Sequence, residues 1–341
     1  MNKTINNTEV SAIFDEINVF EVAEKVVQPQ FSMSSLTSEE RDMYATVDAW
    51  AKEIGQRGFD KDHQISAFIQ NVVQPEVYDT PDYLLEQILD KGSLGEFDFE
   101  ELTTAPKNTL EVYEAAKGGT VDKSYIDFSK ASVTRKMLQG ETELRYSDLR
   151  RDGFKSIATM STFMLEALRQ KRFAMILNIV DNAITGGNQV FNVTGSNVTS
   201  AAMDQLQAYL LDYADGSVSP STISLSKYAQ QIVRLISGNA GLMSEDMKNQ
   251  LHKTGLLGYY YGLQVNQISG AKKTGKGELL IPDKRIFGFG GKIGKFNEVG
   301  ELRVYQDMDN QSEKVNLKFT GYEFEVGITD IEKVAKITFS A

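Results

Sequence analysis

The segment Gly270-Ala-Lys-Lys-Thr-Gly275-Lys276-Gly277 has the spacing of a phosphate-cradling loop, in which backbone amides and a lysine hold a nucleotide's phosphates. Gly277 stands where that loop needs a Ser or Thr hydroxyl for Mg²⁺. The following Glu278-Leu-Leu-Ile-Pro282 cannot open the helix whose N-terminus would face the phosphate, so a flexible basic loop is expected. Gly288-Phe-Gly290-Gly291-Lys292-Ile-Gly294 misses the dinucleotide fingerprint by one residue and lacks its strand-then-helix frame. A glycine-rich turn between strands explains it better. Asp307-Met-Asp309-Asn310 starts like a calcium loop, but Gln311 follows and the required glycine is missing, which leaves a solvated acidic turn. The 2 histidines, His63 and His252, lie far apart without metal-ligand spacing, and with no cysteine there is no thiolate nucleophile, thiolate metal site or disulfide. No catalytic, cofactor-binding or metal-binding residue is therefore expected. Paired carboxylates need no motif, so an acidic cytoplasmic enzyme with a carboxylate site stays open as an alternative.

Bulk properties narrow the class further. The chain has 341 residues, 41% hydrophobic and 24% charged, which suits a globular protein with a real core and room for more than one subdomain. A formal net charge of -11 opposes a broad nucleic-acid-binding face, because phosphate contacts need Lys and Arg in excess. Any DNA nearby would be contained, not gripped. The start, MNKTINNTEVSAIFDE, lacks the basic and apolar regions of a secretory signal, and no apolar run reaches the roughly 20 residues needed to cross a bilayer. No membrane association is expected, and the protein should be made in the cytoplasm.

Residues 9–92 read as polar-faced helices. Phe14 and Ile17 belong to one apolar stripe. Thr37 and Glu40 form a capping box that opens a helix carrying Met43, Val47, Trp50 and Ile54, and Thr80-Pro81 should open another through Leu85 and Ile88 to Gly92. Residues 103–146, rich in Val, Tyr, Ile, Phe and Thr and broken by glycines, read as extended hairpin arms. The longest periodic segment, 147–184, predicts a continuous helix with Ile157, Met160, Met164, Leu168, Met175, Ile179 and Ala183 on its buried stripe. At 1.5 Å per residue it would run roughly 50 Å, a spine across the molecule. Residues 200–250 alternate helices (201–213, 226–237, 244–252) with a short strand at 222–225. Near the C-terminus, Lys314 to Phe319 and Tyr322 to Val326 alternate about Gly321 as an antiparallel pair would. The fold class is α+β.

The order of these elements, and several strings along it, resemble the major capsid proteins of tailed double-stranded DNA bacteriophages, with their Hong-Kong-type capsid fold. The strings are Asp181-Asn-Ala-Ile-Thr-Gly186-Gly187 at the end of the spine, Pro220-Ser-Thr-Ile-Ser-Leu-Ser-Lys-Tyr228, Gly258-Tyr-Tyr-Tyr-Gly262-Leu-Gln-Val265, Leu280-Ile-Pro282-Asp283 and Phe319-Thr-Gly321-Tyr-Glu-Phe-Glu-Val326. Gln264 departs from the family, which often has proline there. Residues 1–102 form a longer, more helical N-terminal region than a simple arm, either a cleaved scaffolding segment or a retained arm.

The resemblance implies an extended loop (E-loop) at 103–135, a peripheral domain in 136–200 and 300–341 containing the spine, and an axial domain at 201–299. It implies an icosahedral shell of hexamers and pentamers of this chain around the phage DNA, with portal, scaffolding and decoration proteins as possible partners and no cofactor. An encapsulin-like nanocompartment shell is the alternative within the same fold. Inter-subunit contacts are expected from Tyr125, Ile126 and Phe128 on the E-loop and from Phe14 and Ile17 in the N-terminal region. Lys123 or Lys130 with Asn310 or Asn316 would be candidates for the isopeptide crosslinks some relatives make; shells without covalent links are expected. Removal of residues 1–92 is expected to weaken assembly but leave the spine-containing body folded.

Overall fold

The Thr37 side chain accepts a hydrogen bond from the Glu40 amide at 3.3 Å while the Glu40 carboxylate accepts one from the Thr37 amide at 2.8 Å, so the capping box forms as the sequence requires. A computed structural model of the chain describes residues 18–60, 63–79, 82–104, 107–108, 126–127, 129–214, 220–237, 258–270, 273, 277–309 and 313–340. They gather in two compact units. The first holds the described residues of Met1–Pro81, Lys136–Arg169 and Val299–Glu323; the second holds those of Asp82–Arg135, Gln170–Glu298 and Phe324–Ala341.

In the first unit, α1 (Val19–Val27) is capped by Asn18, α2 (Ser38–Arg57) by the capping box, and α3 (Gln64–Asp79) follows. Met43, Val47, Trp50 and Ile54 are buried at helical spacing. Trp50 packs against Phe68 with the rings tilted and 5.2 Å between their centres, and its indole N–H donates to Gln64. Phe154 closes the cluster against Tyr44 and Phe68. These N-terminal helices are therefore part of this unit's own core, together with the first half of the spine. That overturns the expectation that residues 1–92 could be removed without unfolding the spine-containing body.

The spine itself is broken. Instead of one helix over 147–184, α5 (Tyr146–Asp152) and α6 (Phe154–Ala183) meet at Gly153, with φ +53 and ψ −124. The Phe154 amide, left without an intrahelical acceptor by the break, donates to the Asp48 carboxylate of α2 at 3.1 Å. The buried stripe also differs from the expected one: Ile176, Leu177 and Val180 are buried, while Met160, Met175, Ile179 and Ala183 are half-exposed. The Gly186-Gly187 stop holds, both residues having positive φ just past the helix.

β11 (Arg303–Asp309) pairs antiparallel with β12 (Lys314–Ile328), from Arg303 opposite Thr320 to Asp309 opposite Lys314. The expected turn at Gly321 is thus a single long strand. Gly321 has φ +82, and a Cβ there would lie 2.7 Å from the Glu301 carbonyl oxygen, so the glycine lets the strand run on past this point without reversing. β11 supplies the partner instead. The Asp307 segment is part of β11 rather than an acidic turn, and Asn310 and Gln311 lie outside the described residues.

The second unit begins with α4 (Tyr83–Ile88), capped by Asp82 rather than by Thr80, which lies outside the described residues. It stops short of Gly92 because Leu89–Leu94 forms β1, which pairs with β10 (Gly294–Val299); β10 in turn neighbours β12. Gly92 permits this pairing, since a Cβ there would lie 2.3 Å from the Asn297 amide oxygen. The extended region contributes β2 (Lys107–Asn108) and β3 (Ile126–Asp127) to this unit, and β4 (Val133–Arg145), which belongs to the first unit from Lys136 on, pairs with β12.

A mixed sheet of order β5-β13-β9-β6-β8-β7 completes this unit. Its strands are β5 (Val190–Thr194), β6 (Ser221–Leu225), β7 (Tyr259–Tyr260), β8 (Leu263–Ile268), β9 (Arg285–Phe289) and β13 (Val334–Ser340). α7 (Ser200–Tyr213) lays Leu206 and Leu210 over Gly288, where a Cβ would be 2.8 Å from Leu210. α8 (Ser226–Ser237) follows β6 directly. The β7–β8 hairpin turns on Tyr261 and Gly262, both with positive φ, as a two-residue turn demands. Gly290-Gly291 is the expected turn between strands, linking β9 to β10 in the other sheet.

Candidate functional site

Two features could carry an assembly function: the base of the extended arm, and the spine with its wall. Both can be built from residues that lie within single units.

At the arm base, the chain leaves β1 and rises through Leu102, whose carbonyl accepts from the Ala131 amide at 2.8 Å, and Thr104, whose amide donates to the Ser129 carbonyl at 2.8 Å. Thr103 bridges Lys130, and β2 pairs with β3, Lys107 opposite Asp127 and Asn108 opposite Ile126. A paired stem of this length is marginal alone and needs an anchor. Gly327 gives one: a Cβ there would lie 2.2 Å from the Leu102 side chain, so only glycine lets Leu102 seat against β12.

The loop before the stem, Gly95 to Glu101, is held by Arg135. Its guanidinium donates to the carbonyls of Glu96 (2.7 Å) and Asp98 (3.2 Å) and lies 5.0 Å over the Phe99 ring. Asp98 closes the turn onto Gly95 through the Gly95 amide. Behind it, Glu100 accepts from Lys295 and Asn297, and those hydrogen bonds, Lys295 first, hold its carboxyl below the usual range. Glu325, buried beside them, is pushed up, chiefly because burial penalises the charged form.

In α6, Arg172 is 3% exposed and pairs with Glu298, also 3% exposed, at 2.8 Å. Asp82 at 3.3 Å and the Phe296 ring at 5.5 Å complete its surroundings, and Lys91 reaches the other Glu298 oxygen at 3.3 Å. The group is a structural node whose charges nearly cancel; its chemistry is positional. Further along, Asp181 is held between Arg285 and Lys336, and burial followed by the Arg285 charge lowers the Lys336 ammonium. In the first unit, α5 and α6 with β4 and Phe319 enclose a groove of about 530 Å³.

Of the residues singled out in the sequence for inter-subunit contact, Phe14, Ile17, Tyr125 and Phe128 lie outside the described residues, and Ile126 sits on β3 opposite Asn108. Lys130 stands at the stem and pairs with Glu101 at 2.9 Å. His63 has φ +53, is exposed and caps the start of α3 with its backbone carbonyl, which accepts from Ala67. His252 and most of the Gly270–Gly277 loop fall outside the described residues, within which no three His, Asp or Glu side chains gather as a metal site. Sequence reasoning missed the Arg135 clamp and the Asp48–Phe154 cap. Both join residues far apart in the chain, and only the alternation Glu96-Phe97-Asp98-Phe99 hinted at a loop with an apolar side.

The family model described as "SPbeta prophage-derived putative capsid protein YonB" matches residues 13–338. The chain belongs to that family. No curated protein sequence matches it. Among solved structures, a chain of Gordonia phage Cozz aligns at TM-score 0.52 with 10% identity, covering 74% of this chain and 85% of that one, and shares its fold. The capsid of cyanophage P-SCSP1u aligns at 0.48 with 10% identity over 75% and 88% of the two chains. A chain of Mycobacterium phage Bobi aligns at 0.49 with 8% identity over 83% and 100%. The α+β architecture of this family member is the phage capsid fold, and among its described residues no helix is long and apolar enough to cross a membrane.

Proposed function

We infer that this chain is a major capsid protein, a virion component with a structural role that self-assembles into the icosahedral shell enclosing a phage double-stranded DNA genome. The family match over residues 13–338 carries the reading, and the fold shared with the Gordonia phage chain supports it. The finer picture is a shell of hexamers and pentamers in which the E-loop at 103–135 lies over a neighbouring subunit and buries Tyr125, Ile126 and Phe128 there. The peripheral domain would be 136–200 with 300–341, and the axial domain 201–299. Portal, scaffolding and decoration proteins are partners of the same reading, as are assembly in the host bacterial cytoplasm and the absence of catalysis.

The composition supports containment over binding. At a net charge of -11 the chain would repel the phosphate backbone, so enclosed DNA stays free to be packed and released. Particles purified from a host carrying the gene and treated with nuclease should hold this chain as their main protein around protected double-stranded DNA. Particles of this chain filled with a cargo enzyme instead would favour the nanocompartment reading.

A further inference from the structure

Glu325 is 2% exposed although it points to the outward face of its sheet. Phe324 and Val326 are buried in the core, Phe324 against Phe296, so the alternation of a strand turns Glu325 and Gly327 the other way. What covers them is the chain on its way to the arm. Glu100 accepts from Lys295 and Asn297 on that face, its amide donates to the Glu325 carboxyl, and Leu102 seats on Gly327. Residues 100–102 thus form a strap across β10 and β12, with an ionisable group sealed beneath it.

Under the strap two acceptors lack a donor. Glu325 Oε1 and the side-chain oxygen of Asn297, itself 1% exposed, are both buried with no hydrogen-bond partner among the described residues, and such orphaned oxygens are costly. A proton on Glu325 relieves this, because a carboxylic acid brings an O–H donor where a carboxylate brings only acceptors. The neighbouring charges do not replace it. Arg135 of β4 holds the carbonyls of Glu96 and Asp98, and Lys295 of β10 holds Glu100. β1 brings Gly92 to this face, while Lys91 turns to Glu298. Glu100 on the strap and Glu323, two residues back on β12, are negative; Asp98 accepts from the Gly95 amide and Glu101 pairs with Lys130. Burial, outweighing the opposed charge of Arg135, raises the Glu325 pKa.

We propose that Glu325 is a proton latch for the arm: with its proton on, the strap at 100–102 lies closed over β10 and β12, and its ionisation lifts the strap and loosens the stem at Leu102–Ala131 and Thr104–Ser129. The direction follows from the burial. A carboxyl whose native pKa is raised holds the strap fully below the ordinary 4.5 and loses that hold as pH rises to the native value. Glu100, whose pKa is lowered, titrates below that window and acts with the opposite sign. Hydrogen exchange of the full-length chain in dilute solution, followed upward from acid pH, reads the latch at the Thr104 and Ala131 amides, with the Gly58 amide at the end of α2 as reference. Relative to Gly58, protection of the two stem amides should fall by up to about tenfold per pH unit above the ordinary carboxyl value and level off at the native pKa. Glu325→Gln, which keeps a donor without a charge, should hold that protection flat. The infrared carboxylic-acid band that the parent retains in this window should be missing from the variant. A flat profile in the parent, an equal fall in Glu325→Gln, or no such band would overturn the latch. If the variant does not fold, the parent's profile decides alone, and a flat one overturns it.

Discussion

Gly153 meets two demands at one position. Its backbone, at φ +53 and ψ −124, lies where a side chain is strained, and a Cβ would come within 2.0 Å of the Asp48 oxygen that caps α6. Gly153→Ala should therefore destabilise the first unit by about 1–3 kcal/mol from the backbone alone, read as a lower urea midpoint at unchanged slope. Glu325 makes a prediction of the opposite sign. Burial raises its native pKa above the ordinary 4.5, so the folded state holds the proton more tightly than the unfolded chain. Stability attributable to it is full below the unfolded value and lost as pH rises through the native one. Glu325→Gln should match the parent in acid and exceed it at pH 7; a variant weaker than its parent at pH 7 would show that the carboxylate makes a needed charged contact. Glu100 behaves inversely, its lowered pKa adding stability above 4.5 that is lost as pH falls. Arg172 and Glu298 form a buried pair, and Glu298→Gln alone should lower stability by up to about 3–5 kcal/mol, because it removes the fully buried charge opposite Arg172 and leaves the guanidinium's charge to be answered by the less buried Asp82.

At the level of elements, what the sequence made legible is what local chemistry decides. Thr37 and Glu40 announce α2 without help, and the spacing of Met43, Val47, Trp50 and Ile54 names its buried face. The strand at Ser221–Leu225 and the helices at Ser200–Tyr213 and Ser226–Ser237 fell within a residue of their expected bounds. What stayed hidden is set by distant partners. The break in the spine depends on Asp48, a hundred residues upstream, and Gly321 reads as a turn until β11 claims Lys314–Thr320. Leu89–Leu94 continues a helical pattern yet pairs with β10, because Gly92 fits against Asn297. The contact residues chosen on the arm rested on alternation in a segment whose tip lies outside the described residues, so they remain proposals. Replacing Tyr125, Ile126 and Phe128 together with Ser tests them, by removing apolar burial worth roughly 1.5–3 kcal/mol per side chain at most. Sedimentation should then show persistent monomers and no shells, with circular dichroism unchanged. Equal loss of folding and assembly would place the three in the chain's own core.

For the molecule as a whole, the function of a capsid protein is carried by association between copies of the chain. The shifts of Glu325, Glu100 and Lys336 come from burial and pairing within the fold. Lys130 is occupied by Glu101 at the arm stem, and Asn316 lies on β12 opposite Asp307. Shells boiled in detergent should accordingly give a single band at the monomer mass of 38.0 kDa, and a ladder of multimers would point to covalent links between subunits. The measurement that bears most directly on the central claim is single-particle electron microscopy of the purified full-length chain at assembly concentration. Closed shells with icosahedral symmetry, built from this chain alone or with a scaffolding protein added, are the predicted result. Particles that stay monomeric or form small open oligomers under both conditions would contradict it.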